Sequence, residues 1–299
     1  MYNKYANKNQ ADHYIVSGDT PLLEYLLANV KGISRNKIKD TLKGSGIKVD
    51  GKTVTQYDFP LKKGMHISVS RHKDKLHILK NRYVKLIYED QYLVVIDKSA
   101  GILSMGVGQK SFNVKAVLDK YFQNSHQKCR AHVVHRLDRD TSGLMIYAKD
   151  IDVEQIFEHS WRDIVYDRRY VALVSGEVEE EGGTVSNWLA ERGKERLVVS
   201  SPVEIDGGKY AVTHFHTLDR STGHSLVEFS LETGRKHQIR VHAAEIGHPL
   251  CGDRKYGNGD DPLHRLCLHA YILCFRHPVT HERLEFKTMV PAQWNSLLK

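Results

Sequence analysis

The sequence predicts an α+β protein: a mixed, largely antiparallel sheet in the larger part of the chain, preceded by a small unit of two helices and a β ribbon. At 299 residues the chain exceeds the common size of a single domain, so two cores are expected. Strand-like runs outnumber helical ones and are not regularly spaced by them, which disfavours a doubly wound parallel sheet. The first seventy residues carry helix and hairpin signals of their own, closed off by a charged stretch, residues 71–83, that reads as a linker.

Residues 1–13 are polar and aperiodic, as a loose tail would be. Asp19-Thr20-Pro21 opens a helix with proline in its first turn, and Leu22, Leu23, Leu26, Leu27 and Val30 form its apolar stripe up to Gly32. Ser34 caps a second helix, Arg35 to Leu42, stopped by Lys43-Gly44. That helix carries Arg35, Lys37, Lys39 and Lys43 with little negative charge to offset them. Ile47 and Val49 alternate with polar residues up to Asp50-Gly51, a two-residue hairpin signal, and Val54 resumes the pattern before a short strand at His66 to Val69.

The larger part, residues 84–299, begins with strands at Val84–Ile87 and Tyr92–Ile96. A helix follows, capped at Ser111 and running to Phe122. Val133-Val134 and Met145-Ile146-Tyr147-Ala148 read as strands flanking a dense polar connection. Ile151 to Trp161 has helical spacing with Asp150 or Asp152 at its start. Arg168 to Gly176, Thr213 to Leu218, Ser225 to Leu231, Leu268 to Phe275 and Leu284 to Phe286 read as strands.

No apolar run approaches the ~20 residues needed to cross a bilayer, and the N-terminus lacks the apolar core of a signal peptide, so a cytoplasmic protein with no membrane partner is expected. Cys129, Cys251, Cys267 and Cys274 show no pairing pattern and read as free thiols. Neither Cys129, His132 and His135 nor His264, Cys267 and His269 has the paired-cysteine spacing of a metal site, so no metal is expected. A formal net charge of +8, with eighteen histidines besides, favours polyanionic partners, nucleic acid first.

The stretch around which the chain is organised is His135-Arg136-Leu137-Asp138-Arg139-Asp140-Thr141-Ser142-Gly143-Leu144. Charges packed between apolar strands make a partly desolvated carboxylate, and so chemistry, plausible there. This stretch resembles the signature of the RluA family of pseudouridine synthases, and four further segments in family order support the resemblance. They are Tyr92 to Gly101, Arg169-Tyr170, Thr233 to His242, and Gly247-His248-Pro249 through Gly252-Asp253. The one departure is Ser99, where the family turn carries proline, and it is expected to loosen that turn. Residues 14–70 resemble the S4 RNA-binding domain through Ser34-Arg35, Gly46 and Asp50-Gly51.

The family resemblance implies an enzyme that cleaves the N1–C1′ bond of uridine, turns the base and rejoins it through C5, with no cofactor. It implies that Asp138 is the catalytic nucleophile or base, that Tyr170 lies against the uracil and that Arg240 partners the aspartate. A guanidinium favours the ionised carboxylate, and a tyrosine offers a face for stacking and a hydroxyl to assist at C5. His135, Arg136, Arg235 and His237 are expected to contact RNA, as are Arg35, Lys37, Lys39 and Lys43 in the N-terminal unit. Asp140 reads as a turn or ion-pair residue. The expected partner is ribosomal RNA of the large subunit, acted on by a monomer. A transfer RNA enzyme and a non-catalytic RNA-binding assembly factor are the alternatives.

Overall fold

The computed structural model describes residues 12–30, 34–43, 46–69, 79, 81–106 and 112–298, without the side chains of Lys37, Asp40, Lys43 and Thr53. The chain divides into two compact units, Met1–Ile78 and Leu79–Lys299. Residues 1–11 of the expected tail and most of the expected linker lie outside the described residues.

The N-terminal unit comprises β1 (Asp12–Ile15), β2 (Thr20–Pro21), α1 (Leu22–Asn29), α2 (Arg35–Lys43), β3 (Ile47–Val49), β4 (Lys52–Thr53), β5 (Pro60–Leu61) and β6 (His66–Val69). β1 starts within the stretch read as tail because Asp12 and His13 pair with Val69 and Ser68. The four-stranded sheet runs β1-β6-β3-β4, and Asp50 and Gly51 both take positive φ, the backbone that a tight β3–β4 hairpin requires. Leu22 and Leu26 of α1 and Ile38 and Leu42 of α2 are buried with Ile47, Val49 and Ile67 of the sheet, whereas Arg35 and Lys39 face solvent. Pro21 ends β2 with extended backbone and sits just before α1 rather than in its first turn.

The larger unit contains β7 (Val84–Glu89), β8 (Leu93–Lys98), α3 (Val114–Asn124), β9 (His132–Val133), β10 (Ser142–Ala148), α4 (Ile151–Ile164), β11 (Val165–Ser175) and β12 (Gly182–Arg192). It continues with β13 (Leu197–Ser201), β14 (Lys209–Arg220), β15 (His224–Leu231), α5 (Gln238–Glu245), β16 (Leu268–Arg276) and β17 (Arg283–Lys287). One sheet runs β13-β12-β14-β15-β11-β16-β10-β8-β7, with β17 added to β16 and β9 to β10. Every pairing described is antiparallel except β10 with β16, so the sheet is mixed and largely antiparallel as the sequence predicts.

That single parallel pair joins the two halves of the sheet. Ser142 and Gly143 lie opposite His269 and Ala270, and a Cβ on Gly143, at φ +120°, would meet the Ala270 carbonyl oxygen at 2.1 Å. Only glycine allows this approach. α3 is capped by Asn113, whose side chain accepts from Ala116 N–H, and Ser111 lies outside the described residues. Asp150 caps α4 by accepting from Asp152 N–H.

Candidate active site

The signature stretch is a loop between β9 and β10, pinned by neighbours on both sides of Asp138. The Tyr147 hydroxyl donates to the Ser104 carbonyl (2.8 Å), and the Ser104 hydroxyl donates to Leu137 O (2.7 Å) and accepts from Leu137 N–H (3.1 Å). On the other side, the Arg139 carbonyl accepts from Gly101 N–H (2.9 Å) and from Lys98 Nζ (3.0 Å). Lys98 is fully buried and donates also to the carbonyls of Ser99 and Ile102. Burial pulls its ammonium down to about 8, opposed by the charges of Asp140 and Asp138. The lysine therefore remains mostly charged at pH 7 and acts as a clamp on the loop. Ser99 does not leave the turn loose: its N–H, which proline would lack, donates to Tyr83 O at 2.8 Å.

Arg240 reaches the same place from α5. A sheet-edge cation is the default reading of such a residue, but the structure puts it on a helix, with its side chain 10% exposed. The principal partner of Arg240 is Asp253, fully enclosed, which accepts from Nε at 2.7 Å and from Nη2 at 2.6 Å. The remaining Nη1 faces Asp138 Oδ2 at 3.5 Å, and His237 Nε2 faces the same oxygen at 3.7 Å. Asp138 is 26% exposed and open to the cleft. Burial would push Asp253 up, but the bond and charge of Arg240, with the N–H groups of Lys255 and Tyr256, leave it below the usual carboxylate range. A bidentate ion pair thus aims the guanidinium.

The α5 entry is held from below. Gln238 accepts from the Thr233 hydroxyl (2.8 Å) and Arg235 N–H (2.9 Å), and donates to Val212 O and Thr213 Oγ1 (both 2.9 Å). His242 sits between Thr213 Oγ1 and Asn187 Oδ1, both at 2.8 Å. These bonds fix the turn from Thr233 to Arg240 on β14 and β12.

The resulting cleft, about 790 Å³, falls within the size range of small-ligand sites. It is lined by the signature loop, Trp161 and Arg162 of α4, Arg168 and Tyr170 of β11, and the turn from Leu231 to Arg240. Arg136, Arg162, Arg168, Arg235, Lys236 and Arg240 line it together with Asp138, Glu158, Asp163, Glu191 and Glu232. Among its carboxylates, Glu191 is already paired with Lys236 (2.6 Å) and Arg196 (2.8 Å). Tyr170 is half-buried, opposite Phe229 in β15, where β11 shifts register against β16. Burial pushes its hydroxyl up, Arg168 opposes this and Asp138 adds to it. The phenol therefore keeps its proton at neutral pH.

All seven residues that the sequence singled out in this unit line the one cleft: Asp138, Tyr170, Arg240, His135, Arg136, Arg235 and His237. His135 is less free than expected for an RNA contact. Its Nε2 accepts from Ile146 N–H (2.9 Å), its ring lies 5.0 Å from Trp161, and burial holds it down to about 3, so it is neutral. Asp140 forms the exposed ion pair with Arg139 expected of it. Asp253, Lys98, Gln238 and Tyr256 carried no assigned role. The Gly252-Asp253 loop was the one signal that could have pointed to the first.

His224, Cys251 and Asp260 bring metal-type ligand atoms within 4.8 Å of one another outside the cleft. Asp260 Oδ2 there accepts from Ser175 Oγ (2.8 Å) and Cys251 Sγ (3.4 Å) and faces His224 Nε2 (3.0 Å), while burial pushes the thiol well up. A protonated thiol and a carboxylate oxygen shared among three donors make a closed hydrogen-bond cluster.

A cleft of small-ligand size, with a carboxylate open to it and faced by a fixed guanidinium, has the make-up of an enzyme active site. The RNA pseudouridylate synthase family matches residues 92–245. YjbO of Bacillus subtilis (strain 168), described as an uncharacterized RNA pseudouridine synthase, is 32% identical over 90% of this chain and 95% of its own length. The ribosomal large subunit pseudouridine synthase D of Vibrio cholerae is 33% identical over 86% of this chain and 84% of its own. The solved structure of human RNA pseudouridylate synthase domain containing 4 covers 70% of this chain and 90% of its own, with a TM-score of 0.58 and 25% identity. The chain belongs to the RNA pseudouridylate synthase family and is an RNA pseudouridine synthase.

The Arg240–Asp253 pair carries a stability prediction. Asp253→Asn removes the counterion of a buried guanidinium and is expected to cost about 3–5 kcal/mol, read as a lowered urea midpoint. Asp140→Asn, at an exposed pair, is expected to cost less than about 1 kcal/mol.

Proposed function

We propose that this enzyme isomerises specific uridines of structured large-subunit ribosomal RNA, acting as a monomer in the cytoplasm, with Asp138 as the reacting group. The observation that carries the reading is the convergence of Arg240 and His237 on one oxygen of a carboxylate that is open to the cleft. With Arg240 and His237 facing Oδ2, the ionised carboxylate is favoured, and it acts by attack at C1′ or by taking a proton from the sugar. Tyr170 stacks against the everted uracil. Arg136, Arg235 and His237 hold the flanking nucleotides, and contacts to their backbone offset the cost of unstacking, roughly a few kcal/mol. The ribosomal substrate is supported by the names of relatives at 31–36% identity, such as the large-subunit enzyme of Neisseria meningitidis, 36% identical over 69% of this chain. The test compares in vitro transcripts of large-subunit ribosomal RNA and of transfer RNA. Pseudouridine is expected in the first, and its formation only in the second would overturn the choice of substrate.

The N-terminal unit acts, in this reading, as an S4-like RNA-holding module. Its two helices, its small sheet and the exposure of Arg35 and Lys39 on one side of α2 support that role. Charge reversal at Arg35 and Lys39 is expected to weaken RNA binding and to flatten its dependence on salt by about two counterions' worth. An unchanged salt slope would make that face an ordinary solvated one.

A further inference from the structure

We propose that Tyr256 is a positioning residue whose phenol fixes the tautomer of His237, so that the Nε2 proton faces the Asp138 carboxylate. The inference rests on the reading of Asp138 as the reacting group. Its first support is proton accounting. Val198 N–H donates to the Tyr256 hydroxyl oxygen at 2.9 Å, and a backbone amide can only donate. A hydroxyl oxygen can accept twice, so the direction follows from the phenolic proton itself: among the described residues its one paired acceptor is His237 Nδ1, 2.7 Å away, and donation to it leaves no proton unpaired. Burial pulls the His237 imidazole down to about 4, opposed by Asp138 and reinforced by Arg240, Lys236 and Lys255. A neutral ring holds one proton, and with Nδ1 accepting, that proton is on Nε2.

The same tyrosine is built into the rest of the site. Its ring lies under the Arg240 guanidinium, 5.0 Å from its centroid, and edge-on to His237 at 5.5 Å. Its own N–H donates to Asp253 Oδ1, the carboxylate that aims Arg240. One short loop therefore orients both groups that face Asp138 Oδ2. The opposite tautomer would aim a lone pair at the carboxylate and disfavour its charged form.

The direct test is the ¹⁵N spectrum of the imidazoles in the full-length protein, with the His237 signals assigned by their loss in His237→Gln. A protonated Nε2 with a bare Nδ1 is expected, and Tyr256→Phe should mix or reverse the tautomers. A protonated Nδ1 in the wild type overturns the proposal. In kinetics on transcribed ribosomal RNA, Tyr256→Phe should lower kcat about tenfold with KM little changed. In the His237→Gln background the same substitution should cost less than about twofold, because an amide has no tautomer to set. Loosening of β13 through the lost Val198 bond would instead cost the same in both backgrounds, and that result also overturns the proposal. An active Asp138→Asn enzyme with Nε2 still protonated would sink the catalytic reading and leave the tautomer assignment standing.

Discussion

Asp138→Asn is expected to bind RNA as the wild type does and to form no measurable pseudouridine, a loss of about a thousandfold or more in kcat. The amide keeps the size of the carboxylate, and the loop around it is held by bonds that the substitution leaves alone. Leu137 is fixed by Ser104, and Arg139 by Lys98 and Gly101. What disappears is the negative charge that Arg240 and His237 face, and with it the ability to attack C1′ or to take a sugar proton. In the proposed reading binding draws on the cations of the cleft and of the N-terminal unit, which the substitution leaves in place, so RNA affinity measured at one fixed salt concentration should change little. Parallel loss of affinity and turnover would mean that Asp138 organises the cleft rather than reacting in it.

Unfolding is expected to show a steep loss of stability as pH falls from about 6.5 towards about 4. Burial holds four histidines neutral in the folded chain: His135, down to about 3, and His237, His242 and His269, each down to about 4. Their surroundings suit the neutral ring. His135 accepts from Ile146 N–H, His242 bridges Thr213 and Asn187, and His269 bridges Ser142 and Thr288. In the unfolded chain a histidine takes its proton near pH 6.5, so between that value and the folded one the unfolded state binds more protons. Stability therefore rises with pH in this window and is lost as pH falls through it. Each proton contributes about 1.4 kcal/mol per pH unit, and four give on the order of 5 kcal/mol per unit at the steepest, set against a total of about 5–15 kcal/mol for a typical domain. Urea unfolding at pH 7, 6 and 5 checks this. A flat midpoint between pH 7 and 5 would contradict it, and His242→Gln should lower the slope by about one proton.

Much of this site was legible in the sequence because its residues sit in short contiguous stretches. Asp138 stands between short apolar runs, Tyr170 lies at the start of another, and the Thr233–His242 cluster is dense enough to notice. The helix in that cluster was not legible. α5 is buried over most of its length, so no polar face marks a helical period, and it is entered through His237 in a left-handed conformation. β12 and β13 were not legible because β12 opens on exposed glycines and small polar residues, and β13 is only five residues long, with Leu-Val-Val running together. The partners that aim the chemistry were hidden for a different reason. Asp253 is thirteen residues from Arg240, and Lys98 forty-one from Arg139, so only the folded chain brings them together. Sequence reasoning assigned Arg240 to Asp138, and the structure adds that a second, buried carboxylate holds the guanidinium in place for it.

The most direct test is a map of pseudouridines in ribosomal and transfer RNA from cells that lack this protein, complemented either with the wild type or with Asp138→Asn. One or more large-subunit positions should revert to uridine, return with the wild type and stay absent with the variant. A map that is unchanged by loss of the protein, or restored by Asp138→Asn, would contradict the account.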